Sequence, residues 1–98
     1  MDIKQLHKIF LKSNGVCTDT RKIKFQQIFF ALKGENFNGN TYAAEALKKG
    51  AIKTIVDERQ DNMNDKILVD DALTTLQELG TFHREYLELP IIAITGSN

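Results

Sequence analysis

The run Ile28-Phe29-Phe30-Ala31-Leu32 constrains this chain more than any other stretch. Five consecutive apolar residues, rich in β-formers and without a polar face, predict a short strand buried on both sides. Such a strand belongs inside a sheet, with covering layers above and below. Its flanks are polar. Cys17-Thr18-Asp19-Thr20-Arg21 precedes it, and Lys33-Gly34-Glu35-Asn36-Phe37-Asn38-Gly39 follows it. Two polar loops at opposite ends of a short connection can face one pocket.

The rest of the chain supplies the layers. Asp2 and Gln5 have the spacing of a reciprocal capping pair. Ile3, Leu6 and Phe10, joined by Ile9, recur at helical steps, and Asn14-Gly15 is a stop signal. His7 is expected on the surface of this helix, beside Lys4 and Lys8. Val16–Thr18 predicts a short strand and residues 22–27 a connection. Asn38-Gly39 is a turn. A helix is expected from Tyr42 to Lys49, capped by Asn40 or Thr41, with Ala43, Ala46 and Leu47 inward and Gly50 at its end. Ala51–Val56 predicts a strand, Asp57–Asp65 a polar loop and Ile67–Val69 another strand. Asp70 or Asp71 can cap a last helix reaching Tyr86, with Leu73, Leu76, Leu79, Phe82 or His83, and Tyr86 at three- and four-residue steps. His83, near its end, is expected to pack or cap. Leu89-Pro90 reads as a linker, Ile91–Thr95 as a strand and Gly96-Ser97-Asn98 as the start of a turn. This alternation predicts an α/β fold: a small mixed or parallel sheet with flanking helices and right-handed crossovers.

Composition sets the outer bounds. The 98 residues suffice for one domain with a modest core. Lys plus Arg and Asp plus Glu number 13 each, so no global field draws the chain to nucleic acid or to an anionic membrane. Cys17 is the single cysteine, which excludes an internal disulfide and suits a reducing compartment. The amphipathic N-terminus lacks the apolar core and cleavage site of a signal peptide, and no apolar run is long enough to cross a bilayer. A soluble, cytoplasmic protein is expected.

Taken together, Thr18-Asp19-Thr20-Arg21, Ile28 to Gly34, Asn38-Gly39 and Ala46 to Ala51 resemble the N-terminal domain of the Mur ligases. The family pattern there runs roughly D-[ST]-R, G-D-x-F-x-A-x-x-G, D-G and A-x-x-x-G-A. Ile94-Thr95-Gly96-Ser97-Asn98 is similar to the opening of the family's ATP-binding loop, which continues Gly-Lys-Thr. Val69-Asp70-Asp71, Leu76 to Leu79, His83-Arg84 and the ITGSN ending resemble the MurF branch, which adds D-alanyl-D-alanine to UDP-N-acetylmuramoyl-tripeptide. Two departures stand out. Gln26-Gln27 replaces the family's Gly-Asp ahead of the apolar strand, and Asn38-Gly39 replaces Asp-Gly.

The resemblance implies a division of labour. Residues 1–88 would form the domain that holds the uridine end of the substrate. Residues 89–98 would be a linker and the first strand of a truncated central domain, whose ATP-binding loop begins at Thr95, Gly96, Ser97 and Asn98. ATP, Mg2+ and D-alanyl-D-alanine would act at parts beyond this chain, which by itself needs no cofactor, contains no catalytic residue or metal site, and is expected to be inactive. By similarity to sister ligases, Thr18 and Thr20 in the first loop and Glu35, Asn36 and Phe37 in the second would line the uridine site. Their chemistry suits it: a uracil edge takes hydroxyl and amide hydrogen bonds, and its face takes an aromatic ring. Arg21 either approaches the diphosphate or braces its loop against Asp19. Asp19, Gly34 and Gly39 read as loop punctuation, and Lys33 as solvated. The rival readings are a MurE-like ligase, which adds the third peptide residue, and a free-standing nucleotide-binding module.

Overall fold

The computed structural model describes residues 2–35 and 37–88. Helix α1 spans Ile3–Lys12, and the expected capping pair is formed: the Gln5 backbone N–H donates to Asp2 at 2.9 Å, and the Asp2 N–H donates to the Gln5 side chain at 3.1 Å. Gly15, at φ +107°, turns the chain out of the helix in a conformation that favours glycine. Strand β1 (Val16–Cys17) leads through a 3-10 turn at Thr20–Lys22 to β2 (Ile28–Phe30). A hairpin of β3 (Lys33–Gly34) and β4 (Phe37–Asn38) follows, then a 3-10 turn at Gly39–Tyr42 and helix α2 (Ala43–Lys48). Strands β5 (Lys53–Val56) and β6 (Lys66–Leu68) and helix α3 (Ala72–Leu87) complete the order. Asp71 caps α3 by accepting from the Thr74 N–H.

The main sheet runs β1-β2-β5-β6 with every neighbouring pair parallel, so the expected α/β sheet is present. Phe29 stands opposite Cys17 on one side and Thr54 on the other. All three residues of β2 are fully buried. Alternation sends Phe29 into a cluster with Ala31, Ala43, Ala46 and Val56, and sends Ile28 and Phe30 into a second cluster with Leu6, Ile55 and Leu79. The doubly buried strand thus has α2 against one face and α1 with α3 against the other.

A sheet whose parallel strands follow one another in sequence order advances in a single direction. Crossovers of one hand then all fall on one face. Residues from the three connections, Ile23, Leu47 and Met63, do pack into the Phe29 cluster. The opposite face is closed by the first and last described helices, α1 and α3.

Two expectations about single residues change, and one about an element. His7 is buried, at 3% exposure, because its position in α1 is one turn from Ile3 and from Phe10 and therefore on the inner stripe. Leu73 is 49% exposed: the buried stripe of α3 passes through Ala72, Leu76 and Leu79, one step out of phase with it. The hairpin replaces a plain loop at Lys33–Gly39. The linker at Leu89-Pro90 and the strand at 91–95 lie outside the described residues.

Candidate functional site

Parallel α/β sheets present their binding loops at the carboxyl ends of the strands. Here β1 runs out into Thr18–Arg21, β2 into the β3–β4 hairpin, and β5 into Asp57-Glu58. The two polar loops singled out in the sequence therefore sit on one edge, beyond adjacent strands. No hydrogen bond among the described residues joins the first loop to the hairpin; what they share is the edge.

In the first loop, Asp19 accepts from the Arg21 backbone N–H at 2.9 Å and from its guanidinium at 3.0 and 3.2 Å. These bonds, the side-chain one first, hold the Asp19 carboxyl below its usual range and raise the Arg21 guanidinium. The bracing arrangement is thus present, while the Arg21 side chain stays 85% exposed. Thr18 is exposed. Thr20 is buried, and its carbonyl accepts from Lys49 Nζ at 3.1 Å, so Thr18 and Arg21 are the accessible groups of this loop.

The hairpin carries Glu35 at its exposed tip and Phe37 on β4. Phe37 does not plug the core. It is 46% exposed, and its ring stacks on Tyr42 with centroids 5.5 Å apart and planes 13° from parallel. The pair forms an aromatic surface on the hairpin. Asn36 lies outside the described residues.

Gly39 closes the hairpin against β2. Its N–H donates to the Leu32 carbonyl at 2.7 Å, and a Cβ there would lie 2.8 Å from Leu32 backbone atoms. Asn40, buried, directs its side-chain amide inward. Nδ2 donates to Asn38 Oδ1 at 2.9 Å and to Asp57 Oδ1 at 2.8 Å, and Oδ1 accepts from the Asp57 and Glu58 N–H groups at 3.0 and 3.3 Å. Asp57 Oδ2 accepts the Ala72 N–H at 3.1 Å, which ties in the first turn of α3. Lys33 is not simply solvated: its Nζ lies 2.9 Å from Glu58 Oε2 and 3.4 Å from Asp57 Oδ1. A loop lysine at a strand's carboxyl end meets the acidic residues leaving the next strand.

The electrostatics follow these contacts. Burial pushes the Asp57 carboxyl up, but the Ala72 N–H, Asn40 and Lys33 together outweigh it and hold Asp57 below its usual value. Lys33 and then Asn38 do the same for Glu58, and Glu58 foremost raises Lys33. Asn40, Tyr42, Asp57 and Glu58 were not visible as site residues in the sequence. The available signal was an acidic pair directly after a predicted strand, at the end of a parallel strand where such groups gather.

A groove of about 720 Å³ lies elsewhere, between α1, β6 and α3, lined by Ile3, Leu6, Ile67, Val69 and Glu78 among others; it contains none of the predicted uridine-site residues. Among the described residues, no three His, Cys, Asp or Glu side chains cluster as cation ligands. No described helix is long and apolar enough to cross a membrane. The predicted ATP-loop residues Thr95, Gly96, Ser97 and Asn98 lie outside the described residues.

No family model matches the chain. Individual proteins do. The chain is 40% identical over 88 residues to the UDP-N-acetylmuramoyl-tripeptide–D-alanyl-D-alanine ligase of Bacillus subtilis, covering 87% of this chain and 19% of that protein. It is 34% identical over 90 residues to the ligase of the same name from Synechocystis, covering 89% and 20%. It is 33% identical over 98 residues to the UDP-N-acetylmuramoyl-L-alanyl-D-glutamate–2,6-diaminopimelate ligase of Rickettsia typhi, covering 99% and 20%. The chain thus spans about a fifth of the length of these relatives. Among solved structures, MurF from Acinetobacter baumannii superposes with a TM-score of 0.70 at 26% identity, over 86% of this chain and 21% of that one. MurF from Thermotoga maritima, solved in complex with ADP, superposes with a TM-score of 0.64 at 28% identity, over 70% and 16%. Sequence relatives and solved structures agree, and the chain belongs to the Mur ligase family, corresponding to the N-terminal domain of those enzymes.

Proposed function

We propose that this chain is the domain that binds the uridine-diphosphate end of UDP-N-acetylmuramoyl-tripeptide in an ATP-dependent ligase of the MurF type. The parent enzyme would join D-alanyl-D-alanine to that substrate in peptidoglycan precursor synthesis, in the cytoplasm. One observation carries the reading: the two loops of the family pattern leave adjacent parallel strands at the same edge, with the exposed Phe37–Tyr42 stack on the second. Phe37 would take the uracil face. Thr18, Glu35 and Asn36 would meet its edge, and Arg21, already charged and exposed, would approach the diphosphate. Thr20 would act through its loop, since its side chain is buried. ATP and Mg2+ would be held by other parts of the parent, which supply the activated carboxylate. This chain's residues only bind and orient.

The MurE-type reading stands second, on the strength of the diaminopimelate ligase relative that matches 99% of the chain. Both readings place a uridine nucleotide here. They separate on which substrates the parent enzyme turns over: tripeptide with D-alanyl-D-alanine, or dipeptide with a diamino acid. For the chain itself, an amide chemical-shift titration with UDP is the test. Shifts are expected at Thr18–Arg21 and Gly34–Gly39, with none on adding ATP and no phosphate released from it. Perturbation by ATP but not by UDP would overturn the assignment.

A further inference from the structure

The two histidines of the chain, one expected on the surface and one expected to pack or cap, meet. His7 Nε2 of α1 lies 3.0 Å from His83 Nδ1 of α3. We propose that this pair is a proton-operated clasp, holding α1 on α3 at neutral pH and releasing it in acid.

The contact requires one ring nitrogen to carry a hydrogen and the other to be bare. Two neutral imidazoles meet that condition, and so does a pair sharing one extra proton on an outward nitrogen. A second proton does not: two N–H groups then face each other, on two cations, across the same gap. The surroundings give little relief. The His7 ring is packed among Phe10, Phe82 and Tyr86, with the latter two centroids 4.9 and 4.8 Å away, and Phe10 also meets His83 at 4.9 Å. The sheet beneath contributes Ile28, Phe30 and Ile55, none of them titratable. Along α1 the nearest charged positions in sequence are Lys4 and Lys8, and along α3 Arg84 and Glu85; among these groups and the rest of the described residues, His83 is the charged partner that acts on His7. Glu78 and Glu85 line a shallow groove beside Ile3 and Phe82, and neither forms an ion pair with an imidazole among the described residues.

Burial, and secondly His83, lowers the His7 pKa below the ordinary histidine value. The sign follows. The unfolded chain binds the proton more readily than the folded one, so the contribution is full above the unfolded value, about 6.5, and declines as pH falls from there through the folded value.

The experiment is an NMR titration of the 98-residue chain from pH 7.5 to 5.0, following both imidazoles and the amide exchange of Ile3–Lys12. The His7 step is expected below the ordinary histidine value. After correction for intrinsic rates, α1 exchange at pH 5.0 should be about three- to tenfold faster than at pH 7.5, the factor of one ordinary hydrogen bond, while β2 and β5 change less. In the double variant His7→Gln with His83→Asn, the amides stand where Nε2 and Nδ1 were, so a hydrogen bond persists without titrating. Its α1 exchange should lose the pH dependence. A His7 step at the ordinary histidine value with unchanged α1 exchange would overturn the clasp, and so would a double variant as acid-sensitive as the wild type. The wild-type titration decides alone if the double variant does not fold.

Discussion

Asn40 uses both donors and both acceptor positions of its side-chain amide inside the protein, on Asn38, Asp57 and Glu58. Truncation strands several of these partners at once, and a buried polar group left unpaired costs about 1–3 kcal/mol. Asn40→Ala should therefore lower stability by about 2–4 kcal/mol, read as a shift in a denaturant midpoint at unchanged slope. Phe37 behaves differently, because half of its ring faces solvent. Phe37→Ala should cost about 0.5–1.5 kcal/mol of stability through the lost Tyr42 stack. If the ring stacks on uracil, the same change should weaken UDP by about 1–3 kcal/mol. A melt beside a UDP titration separates the effects, and an unchanged affinity removes Phe37 from the site. Phe37 was legible from its place in a polar loop. Asn40 read only as a helix cap, since Asp57 and Glu58 arrive from beyond a strand, seventeen and eighteen positions away, and no local spacing encodes that.

The strands and helices were legible where one face or both faces are buried. Ile28–Phe30 was clear because buried neighbours in two clusters, one on each face, leave no room for a polar residue, and α1 was clear because its cap and stripe agree. The hairpin was hidden: two-residue strands on an exposed edge carry no periodicity. Phase errors were small but informative, as at Leu73, where one residue moves the stripe by about 100°. The entry to β2 shows how an element tolerates an unusual residue. Gln26 stands where the family pattern has glycine and adopts φ +64°, the left-handed region. Two backbone bonds hold it there, to the Gly50 carbonyl at 2.7 Å and from the Asn14 N–H at 2.9 Å. A non-glycine residue in that region costs about 1–2 kcal/mol, while glycine in the unfolded chain costs about 0.5–1 kcal/mol in entropy. Gln26→Gly should thus be neutral to stabilising by up to about 1 kcal/mol. A loss of more than that in a thermal melt would mean the Gln26 side chain contributes packing that outweighs the strain.

At the scale of the whole molecule, both faces of the main sheet are covered by described residues. The crossovers cover one face, and α1 and α3 cover the other, so Ile3 to Leu79 supply both described clusters. The last cap of α3 is also internal: the Glu88 N–H donates back to Arg84 at 3.1 Å. The proposed nucleotide edge runs from Thr18 to Glu58, within the same span. Deleting Leu89 to Asn98 should therefore leave a single cooperative melt and an unchanged UDP titration. The strand that the sequence predicts at Ile91–Thr95 lies outside the described residues; formed with a free edge, it would be a template for pairing between copies. The deletion should accordingly lower any self-association of the 98-residue chain, measured by sedimentation across a concentration series. A broad or absent transition after deletion would place residues 89–98 in the core of this domain and move the boundary past Glu88.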